Sequence, residues 1–409
     1  MRRFKDFPEF EAHLDTLGLF RMDLTLGRMA AFLRAASDPD YPAVQVVGTN
    51  GKGSTSTFLG TLLSTHGLRV GVYTSPHFVN VRERLLVDGA MLSENEWVEL
   101  ANEAAVCSEG LDLTYFEMLT AMAVLGFRRA EVQAVIWEAG LGGTWDATRA
   151  LPADIVLFTP IGLDHEAILG PGLERIARDK AGAMRPGGLA ITGPQEPLVM
   201  DVLCRRAEEL GATLLRSADL EDLPPAGSLG LAGPHQRENA RLALAAWRLL
   251  AEGQDWKRDA AAQAKGLSRA FIPGRMQSVA YDPPLILDGA HNAHALAALA
   301  AALREGGVRP ATTIFACLTD KNLESMIPLI LSLGDGPILV PGIPGNERAM
   351  PPDKLAARLG PRARPCVDLC AALNPLTGSS GPVLVCGSLY LLAEFYKQNP
   401  WSLTRPQAA

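Results

Sequence analysis

The sequence has few cysteines and no long apolar run. None of its six cysteines belongs to a Cys-x-x-Cys pair, so neither a disulfide framework nor a zinc site is indicated, and a reducing, cytoplasmic location is expected. No apolar run is long enough to cross a bilayer. The basic residues at the N-terminus precede no apolar core, so a secretory signal is not expected either.

Positive charge is also scarce. The chain has 38 Lys and Arg against 45 Asp and Glu, which gives a net charge of -7. This balance argues against nucleic acid as the main partner. It remains compatible with small anionic ligands, which need only a local positive pocket. We therefore expect small-molecule substrates and no nucleic-acid partner. We also expect no membrane partner and a monomer.

The most informative segment reads Val-Val-Gly-Thr-Asn-Gly-Lys-Gly-Ser-Thr and spans residues 46–55. A short apolar strand enters a glycine-rich turn, and a helix-compatible run follows. Such a turn binds polyphosphate because its N–H groups point inward, the helix N-terminus carries partial positive charge and the lysine neutralises oxygens. Lys52 is the predicted phosphate contact, and Ser54 or Thr55 would hold Mg²⁺.

The spacing of this segment departs from the common nucleotide loop G-x-x-x-x-G-K-[ST]. Only two residues separate its first two glycines, and a further glycine follows the lysine. The plainer interpretation is a strand-to-helix turn with a solvated lysine. The flanking strand and helix favour nucleotide binding. The predicted nucleotide contacts are Thr49, Asn50, Gly51, Lys52, Gly53, Ser54 and Thr55.

Short apolar strands alternate with helical runs, a pattern typical of a parallel sheet covered on both faces. The strands predicted in the first two-thirds of the chain are Val44–Val47, Val70–Tyr73, Val135–Trp137, Ile155–Thr159 and Leu189–Thr192. The helices predicted there are Ser54–Thr65, Tyr115–Arg129 and Leu173–Met184. An Asp-Gly pair at residues 88–89, between apolar runs, predicts a hairpin.

At this length two domains are the default, because a single core usually stops growing earlier. The sharpest boundary lies at Pro273-Gly274, beyond which strands and helices alternate again. We predict an α/β fold class: a P-loop-type, mostly parallel sheet ATPase domain over residues 1–273, followed by a smaller Rossmann-like α/β domain over residues 274–409.

Polar residues follow two of the predicted strands. Glu138 follows one strand and precedes a glycine-rich loop, and His165 follows the next strand. Ligands bind beyond the carboxyl ends of parallel strands, so Ser54, Glu138 and His165 project toward one sheet edge. An oxygen, oxygen and nitrogen set around Mg²⁺ is one interpretation, although histidine is an uncommon ligand for this ion. The alternatives are a solvated loop acid and a capping or core imidazole.

Four further residues at turns and strand ends are candidate ligand contacts. Arg84 and its neighbours form a solvated face or hold an anionic substrate. Arg275 lies in a Pro-Gly turn that could clamp a phosphate oxygen. Asp288 and His291 end a strand of the second domain, where ribose or phosphate contacts are common, and Asp288 is otherwise a helix N-cap.

Taken in order, these motifs resemble the folylpolyglutamate synthase / dihydrofolate synthase family within the Mur ligase superfamily. The resemblance covers nearly the whole chain. The matching segments are Gly48–Ser54, Thr74–His77, Glu83-Arg84, Phe116-Glu117, Gly140–Gly143, Asp146–Thr148, Gly162–His165, Lys180–Gly182, His235-Gln236, Asn239-Ala240, Pro273–Arg275, Asp288–Asn292, Asp320-Lys321 and Gly387–Tyr390.

The resemblance implies ATP-dependent amide formation. A folate or dihydropteroate carboxylate attacks the γ-phosphate of ATP, and the amine of L-glutamate attacks the resulting acyl phosphate, so that ADP and phosphate are released. Lys52 and divalent metal would neutralise the charge that crowds at the transferring group. The implied catalytic residues are Lys52, His165 and Lys180.

The resemblance also implies ligand contacts. Two Mg²⁺ ions would be held by Ser54, Glu138, His165 and Lys180, with Lys180 matching a lysine that is often carbamylated in the superfamily; an ion-paired lysine is the plain alternative. Asn239, Arg275, Asp288 and His291 match ATP contacts. The implied substrate contacts are Ser75, Pro76, His77, Phe78, Arg84, Gly143 and Asp146.

The chain departs from the family pattern at Thr144, Arg149 and Glu166, where arginine, asparagine and threonine are common. These departures concern the substrate contacts rather than the phosphate machinery. Two other functions compete with the folate ligase: a Mur-type ligase acting on a different carboxylate, and a non-catalytic nucleotide sensor. The joint presence of Lys52 and the predicted metal ligands argues against a sensor.

Overall fold

A computed structural model describes residues 3–18, 23, 25–36, 40–378 and 381–405. The chain divides into two compact units. The first comprises Met1–Leu223 and Asn239–Arg269, and the second comprises Pro224–Glu238 and Ala270–Ala409. The functional assignment of residues 1–273 and 274–409 to two domains stays a prediction.

The first unit is built on an eight-stranded sheet of order β4-β3-β2-β5-β1-β6-β7-β8. Its strands are β1 (Ala43–Val47), β2 (Val70–Tyr73), β3 (Leu85–Val87), β4 (Ala90–Met91), β5 (Ala134–Glu138), β6 (Ile155–Phe158), β7 (Leu189–Thr192) and β8 (Thr213–Arg216). Pairing is parallel except at β2–β3 and β3–β4. The central strand β1 lies between β5 and β6, with Val46 opposite Glu138.

Helices surround this sheet. They are α1 (Phe7–Leu17), α2 (Gly27–Ala36), α3 (Lys52–Thr65), α4 (Glu94–Cys107), α5 (Tyr115–Arg129), α6 (Glu166–Leu169), α7 (Leu173–Ala181), α8 (Pro197–Leu210), α9 (Ser217–Leu220), α10 (Pro234–Gly253) and α11 (Ala260–Arg269). Two short 3₁₀ segments, Val81–Arg84 and Ala147–Ala150, follow β2 and β5 in the chain.

The sheet is covered on both faces, as a parallel sheet requires. On β5, Val135 and Trp137 join the apolar cluster that contains α5. The intervening Ile136 lies on the other face, close to Gly60 of α3. Successive strand residues point to opposite faces, so this alternation sets α3 and α5 on opposite sides of the sheet.

Local chemistry accounts for several element ends. Asp88 and Gly89 have φ values of 51° and 78°, the positive values that a two-residue hairpin turn needs. Thr114 and Glu117 form a capping box at the start of α5. The helix predicted to reach Met184 ends earlier, at Ala181, and Gly182 caps it.

The second unit holds a six-stranded sheet of order β13-β12-β11-β14-β10-β9. Its strands are β9 (Gln277–Val279), β10 (Leu285–Leu287), β11 (Thr312–Phe315), β12 (Ile338–Pro341), β13 (Ala363–Cys366) and β14 (Val383–Cys386), and its later helices are α12 (Ala293–Glu305), α13 (Leu323–Ser332), α14 (Pro352–Leu359), α15 (Leu369–Leu373) and α16 (Leu389–Gln398). Two 3₁₀ segments span Asn374–Leu376 and Pro400–Leu403. Only β9 runs antiparallel to its neighbour.

The predicted α/β class with two mostly parallel sheets is confirmed. Among the described residues, every helix is too short or insufficiently apolar to span a membrane.

Candidate active site

The glycine-rich turn after β1 has the backbone that its sequence predicts. Gly51 has a φ of 89° and directly precedes α3. A Cβ atom on Gly51 would lie 2.5 Å from Oδ1 of Asn239, and one on Gly48 would collide with the hydroxyl of Thr159. Neither position therefore accepts a side chain without displacing a neighbour. Because these two residues have no side chain, neighbouring groups can lie close to the backbone of the turn.

The first turn of α3 presents a lysine and hydroxyl groups next to this backbone. Nζ of Lys52 donates to the carbonyl oxygens of Gly48 at 3.2 Å and Thr49 at 3.3 Å. Ser54 is buried. Oγ1 of Thr55 is buried and has no hydrogen-bond partner within the described parts of the chain. A buried hydroxyl without a partner fits a ligand that supplies one, and a phosphate or metal-bound water would do so.

The turn is tied to the loop that leaves β6. The backbone N–H groups of Thr49 and Asn50 donate to the carbonyl oxygen of Pro160 at 3.0 and 3.3 Å. Oγ1 of Thr49 donates to the carbonyl oxygen of Gly162, and the N–H of Gly162 donates back to Oγ1, both at 3.0 Å. Thr49 and Asn50 therefore hold the glycine-rich turn against the loop after β6. Their contacts with a nucleotide stay predictions.

Glu138 ends β5 with its side chain almost fully buried. Its Oε2 accepts from the hydroxyl of Thr74 and from the N–H of Ser75, the latter at 3.4 Å. Thr74 follows the neighbouring strand β2. The carboxylate is therefore oriented by the segment that carries the predicted substrate contacts.

His165 begins α6 in the left-handed region, with φ of 56° and ψ of 31°. Its N–H donates to Oδ1 of Asp164 at 2.9 Å, and Nε2 lies 3.9 Å from Oδ2 of the same carboxylate. The Asp164 side chain is 6% exposed and that of His165 is 37% exposed. A non-glycine residue held in this region costs of order 1 kcal/mol and is common at functional sites.

Three of the four predicted metal ligands lie on or after three adjacent strands. Glu138 belongs to β5, Ser54 follows β1 and His165 follows β6, and β1 lies between the other two. Within the described ranges, no group of three or more His, Cys, Asp and Glu side chains is gathered to hold a metal. The donor set fits Mg²⁺, which keeps several waters and takes few protein ligands together with phosphate oxygens.

Lys180 is a buried lysine on α7. Its Nζ donates to the carbonyl oxygen of Leu141 at 2.7 Å, which brings it against the glycine-rich loop after β5. Burial and, second to it, the positive charge of Lys52 lower the pKa of Lys180 to about 7, while the negative charges of Asp179, Asp146 and Asp164 oppose the shift. Near neutral pH a substantial fraction of this amine is uncharged and nucleophilic.

The glycine-rich loop is held by two carboxylates. Oδ2 of Asp146 accepts from the N–H groups of Gly140 and Leu141 at 2.8 and 3.1 Å, and its Oδ1 accepts from Thr148. Oδ2 of Asp179 accepts from the N–H of Gly143 at 3.0 Å. Gly143 and Asp146, both predicted substrate contacts, therefore have observed roles in shaping the loop.

Two departures from the family pattern also join this loop to α7. Oγ1 of Thr144 donates to the carbonyl oxygen of Asp179 at 2.8 Å. Nε of Arg149 donates to the carbonyl oxygen of Gly182 at 3.0 Å, at the C-terminus of α7. Both side chains thus contact the helix that carries Lys180.

The segment Ser75–Phe78 is fixed by an arginine and an acid. Nε of Arg84, which is 4% exposed, donates to Nδ1 of His77 at 2.9 Å. Burial lowers the pKa of His77 to about 3, and the charge of Arg84 adds to the shift. The N–H of Phe78 donates to Oε2 of Glu83 at 2.7 Å. The Ser75–Pro76 peptide bond is cis.

In the second unit, three predicted nucleotide contacts gather at the end of β10. Asp288 accepts from the N–H groups of Met276 and Ala290, each at 2.9 Å. Burial raises the pKa of Asp288, and the charge of Arg275 opposes the shift. Nδ1 of His291 lies 2.8 Å from the carbonyl oxygen of Gly289.

Sequence reasoning missed some residues of the site. Thr74 orients Glu138, and Asp179 orients the glycine-rich loop. Gln45 is fully buried in β1, and its Nε2 donates to Oγ1 of Thr148 at 2.9 Å. A polar residue in the middle of an apolar strand was the one available signal, since buried amides require partners. The partners of Thr74 and Asp179 are far away in sequence, so no local pattern indicated them.

Comparisons with known proteins show which family this chain is similar to. Residues 274–389 match the family model described as "Mur ligase, glutamate ligase domain". The chain is 31% identical over 406 residues to the dihydrofolate synthase/folylpolyglutamate synthase of Bacillus subtilis, covering 91% of this chain and 94% of that protein.

Two solved structures share the fold over almost the full length. One is FolC of Escherichia coli in complex with DHPP and ADP, with a TM-score of 0.87, 29% identity, and coverage of 99% of this chain and 100% of that chain. The other is the bifunctional folylpolyglutamate synthase/dihydrofolate synthase of Yersinia pestis with AMPPNP and a Mn ion, with a TM-score of 0.87, 30% identity, and coverage of 98% and 100%. The chain therefore belongs to the folylpolyglutamate synthase / dihydrofolate synthase family of Mur ligases.

Proposed function

We propose that this chain is an ATP-dependent ligase that adds L-glutamate to the carboxylate of dihydropteroate, of reduced folates, or of both. The observation that carries the proposal is the glycine-rich turn of residues 48–54 after β1, which we call the phosphate turn. Glu138 at the end of β5 and His165 after β6 flank it. Family membership supplies the substrate class, and the donor set at the sheet edge fits nucleotide and divalent metal.

In the proposed reaction, an oxygen of the substrate carboxylate attacks the γ-phosphorus of ATP and the bond to the β,γ-bridging oxygen breaks, giving an acyl phosphate and ADP. The glutamate amine then attacks the acyl carbon, loses a proton and expels phosphate. Lys52 balances negative charge at the transferring group, and the backbone N–H groups at the start of α3 orient the phosphates.

We assign two divalent ions to the site. Ser54, Glu138 and His165 would hold the first, and a carbamylated Lys180 would contribute to the second. Bound metal would supply positive charge at the phosphoryl oxygens. Thr74 fits this assignment because its hydrogen bond holds the Glu138 carboxylate in one orientation.

Carbamylation of Lys180 is supported by its surroundings. The buried amine has a pKa lowered to about 7, so its lone pair is available to add to the carbon of CO₂. The amine loses a proton in this step and becomes an anionic carbamate. Such an anion would be repelled by Asp146, Asp164 and Asp179 unless a cation joined it, which agrees with a metal ligand.

The remaining contacts are proposed residue by residue. ATP would contact Asn239, Arg275, Asp288 and His291 in addition to the turn of residues 49–55. The pteroyl part of the substrate would lie near residues 75–78, Arg84 and the loop of residues 140–146. We also propose that the protein is a monomer. A location in the cytoplasm is supported by the six free thiols, which a reducing compartment keeps reduced.

The decisive experiment measures phosphate release with ATP, Mg²⁺ and L-glutamate. Dihydropteroate, tetrahydrofolate and a UDP-muramyl compound are compared side by side, and products are identified by mass. Glutamate-dependent release with either of the first two supports the proposal and distinguishes its two activities. Release with the muramyl compound alone would reject it.

A further inference from the structure

Gln195 lies in the loop between β7 and α8, outside every motif discussed above. Its side chain makes hydrogen bonds with both of its polar atoms. Oε1 accepts from the N–H of Ile161 at 3.0 Å. Nε2 donates to the carbonyl oxygen of Thr159 at 3.0 Å and lies 3.1 Å from Oγ1 of Thr192. The amide therefore bridges the end of β7 and the segment that leaves β6.

A glutamine suits this position because the two strands stop pairing here. The N–H of Gly193 donates to the carbonyl oxygen of Phe158 at 2.9 Å, just beyond the last paired residues. Past that bond, the carbonyl of Thr159 and the N–H of Ile161 have no facing strand. The amide side chain supplies one donor and one acceptor, as a further strand residue would, and so satisfies backbone groups that burial would otherwise leave unpaired.

The opposite side of the same segment holds the phosphate turn. Pro160, between the two residues bound by Gln195, accepts from the N–H groups of Thr49 and Asn50. Gly162, the next residue but one, exchanges two hydrogen bonds with the hydroxyl of Thr49. The chain then continues to His165. A single segment thus connects Gln195 to the turn on one side and to the histidine on the other.

We propose that Gln195 is a positioning residue for nucleotide and metal binding: it fixes residues 158–161 and, through them, the phosphate turn and His165. This inference rests on the proposed function of that turn. Gln195 touches neither the nucleotide nor the reacting carboxylate in this scheme. Its effect is confined to the geometry of the groups that do.

The test uses two variants of the full-length protein. Gln195→Glu keeps the acceptor for Ile161 but removes the donor and sets a carboxylate against the carbonyl oxygen of Thr159. Gln195→Leu removes both functions. Gln254→Glu is the matched control, because Gln254 is exposed and the chemical change is the same. For each protein, the affinity for ADP with Mg²⁺ is measured by calorimetry, and kcat and the KM of every substrate are determined.

We expect both Gln195 variants to lose about tenfold or more in nucleotide affinity and to require more Mg²⁺, as is typical when an outer partner of a metal site is removed. The KM for glutamate should stay within about twofold, and Gln254→Glu should match the wild type. A loss of nucleotide affinity without a change in the KM for glutamate distinguishes a positioning role from general destabilisation. Destabilisation would lower the active fraction and leave every KM unchanged.

Wild-type nucleotide affinity and Mg²⁺ dependence in both variants would overturn the inference, as would a loss of kcat that only follows the loss of folded protein. If neither variant folds, Gln195→Asn, which keeps the amide on a side chain one methylene shorter, replaces them; it should weaken nucleotide binding and raise the Mg²⁺ requirement in the same way, and wild-type values would overturn the inference. A wild-type protein that binds no nucleotide would count against the proposed function instead.

Discussion

Nζ of Lys52 lies inside the phosphate turn and donates to the carbonyl oxygens of Gly48 and Thr49. Lys52→Ala should lower kcat about a hundredfold or more at saturating ATP, because no other cation of the turn balances the transferring phosphoryl group. Lys257→Ala is the control, since it removes the same charge from an exposed position. Steady-state phosphate release measures both, and a Lys52→Ala enzyme with the wild-type kcat would contradict this role.

His165 combines a left-handed backbone with an imidazole held near the buried Asp164. His165→Ala should raise the Mg²⁺ concentration needed for half-maximal activity by about tenfold, because a metal ligand is lost. The measurement is a Mg²⁺ titration at fixed ATP. His66→Ala is a useful comparison, because His66 lies at the far end of α3. An unchanged titration in His165→Ala would exclude a ligand role.

Lys180 should react with CO₂ in a pH-dependent manner. Its pKa of about 7 means that the reactive neutral amine dominates above that pH and is lost as the pH falls below it. Protein incubated with ¹³C-bicarbonate should show a carbamate carbon signal at pH 8 that weakens toward pH 6. Lys180→Arg should show no such signal, and a signal of equal strength in that variant would place the carbamate elsewhere.

At the scale of elements, the turn between β1 and α3 requires glycine for two separate reasons: the positive φ of its backbone and the lack of space for a Cβ atom. Gly51 and Gly67, at the two ends of α3, have φ values of 89° and 84°. A Cβ atom at Gly51 would meet Asn239 at 2.5 Å, whereas one at Gly67 would meet no atom within 4 Å. Alanine at either site bears the same backbone strain, of order 1 kcal/mol.

Gly67→Ala should therefore lower the free energy of unfolding by about 1 kcal/mol and leave the KM for ATP unchanged. Gly51→Ala should lower the free energy of unfolding further and raise the KM for ATP, because Asn239 or the turn must move. Urea denaturation and steady-state kinetics provide the two measurements. Equal effects of the two substitutions would mean that the contact with Asn239 carries no energy.

At the scale of the whole molecule, each unit contains a partly buried imidazole with a lowered pKa. Burial lowers the pKa of His77 to about 3 and that of His235 to about 4, with neighbouring arginines adding to both shifts. In the unfolded chain both groups bind a proton near pH 6.5. The unfolded state thus takes up protons first, so the stabilising contribution is present above pH 6.5 and is lost as the pH falls toward 3 to 4.

His77→Gln should consequently reduce the acid sensitivity of the first unit. The amide can accept from Nε of Arg84 at any pH, whereas a protonated imidazole cannot. The free energy of unfolding, measured by urea at pH 7 and at pH 4.5, should fall less between the two values in the variant than in the wild type. An identical fall would show that His77 does not contribute to acid unfolding.

The limits of sequence reasoning are visible in particular elements. Strands β2 and β7 and helix α5 were predicted to the residue because apolar runs and turn residues mark both ends. Strand β8 was missed, since its Thr-Leu-Leu-Arg sequence lies at the half-exposed sheet edge. Strand β13 contains Pro365, and a proline within a run disfavours a strand except at an edge. Edge strands carry a weak apolar signal because only part of each strand is buried.

The features of the site also fall into two groups, those that local sequence determines and those that depend on distant contacts. The order of strand, glycine turn, lysine and helix is local, and the sequence alone determined it, because φ restrictions, helix dipoles and apolar periodicity act over a few residues. The contacts of Lys180 with Leu141, of Thr144 with Asp179 and of Gln195 with the exit of β6 join residues at least 34 positions apart. Only the tertiary structure decided these contacts, because burial and hydrogen-bond partners depend on which distant segments the sheet order brings side by side.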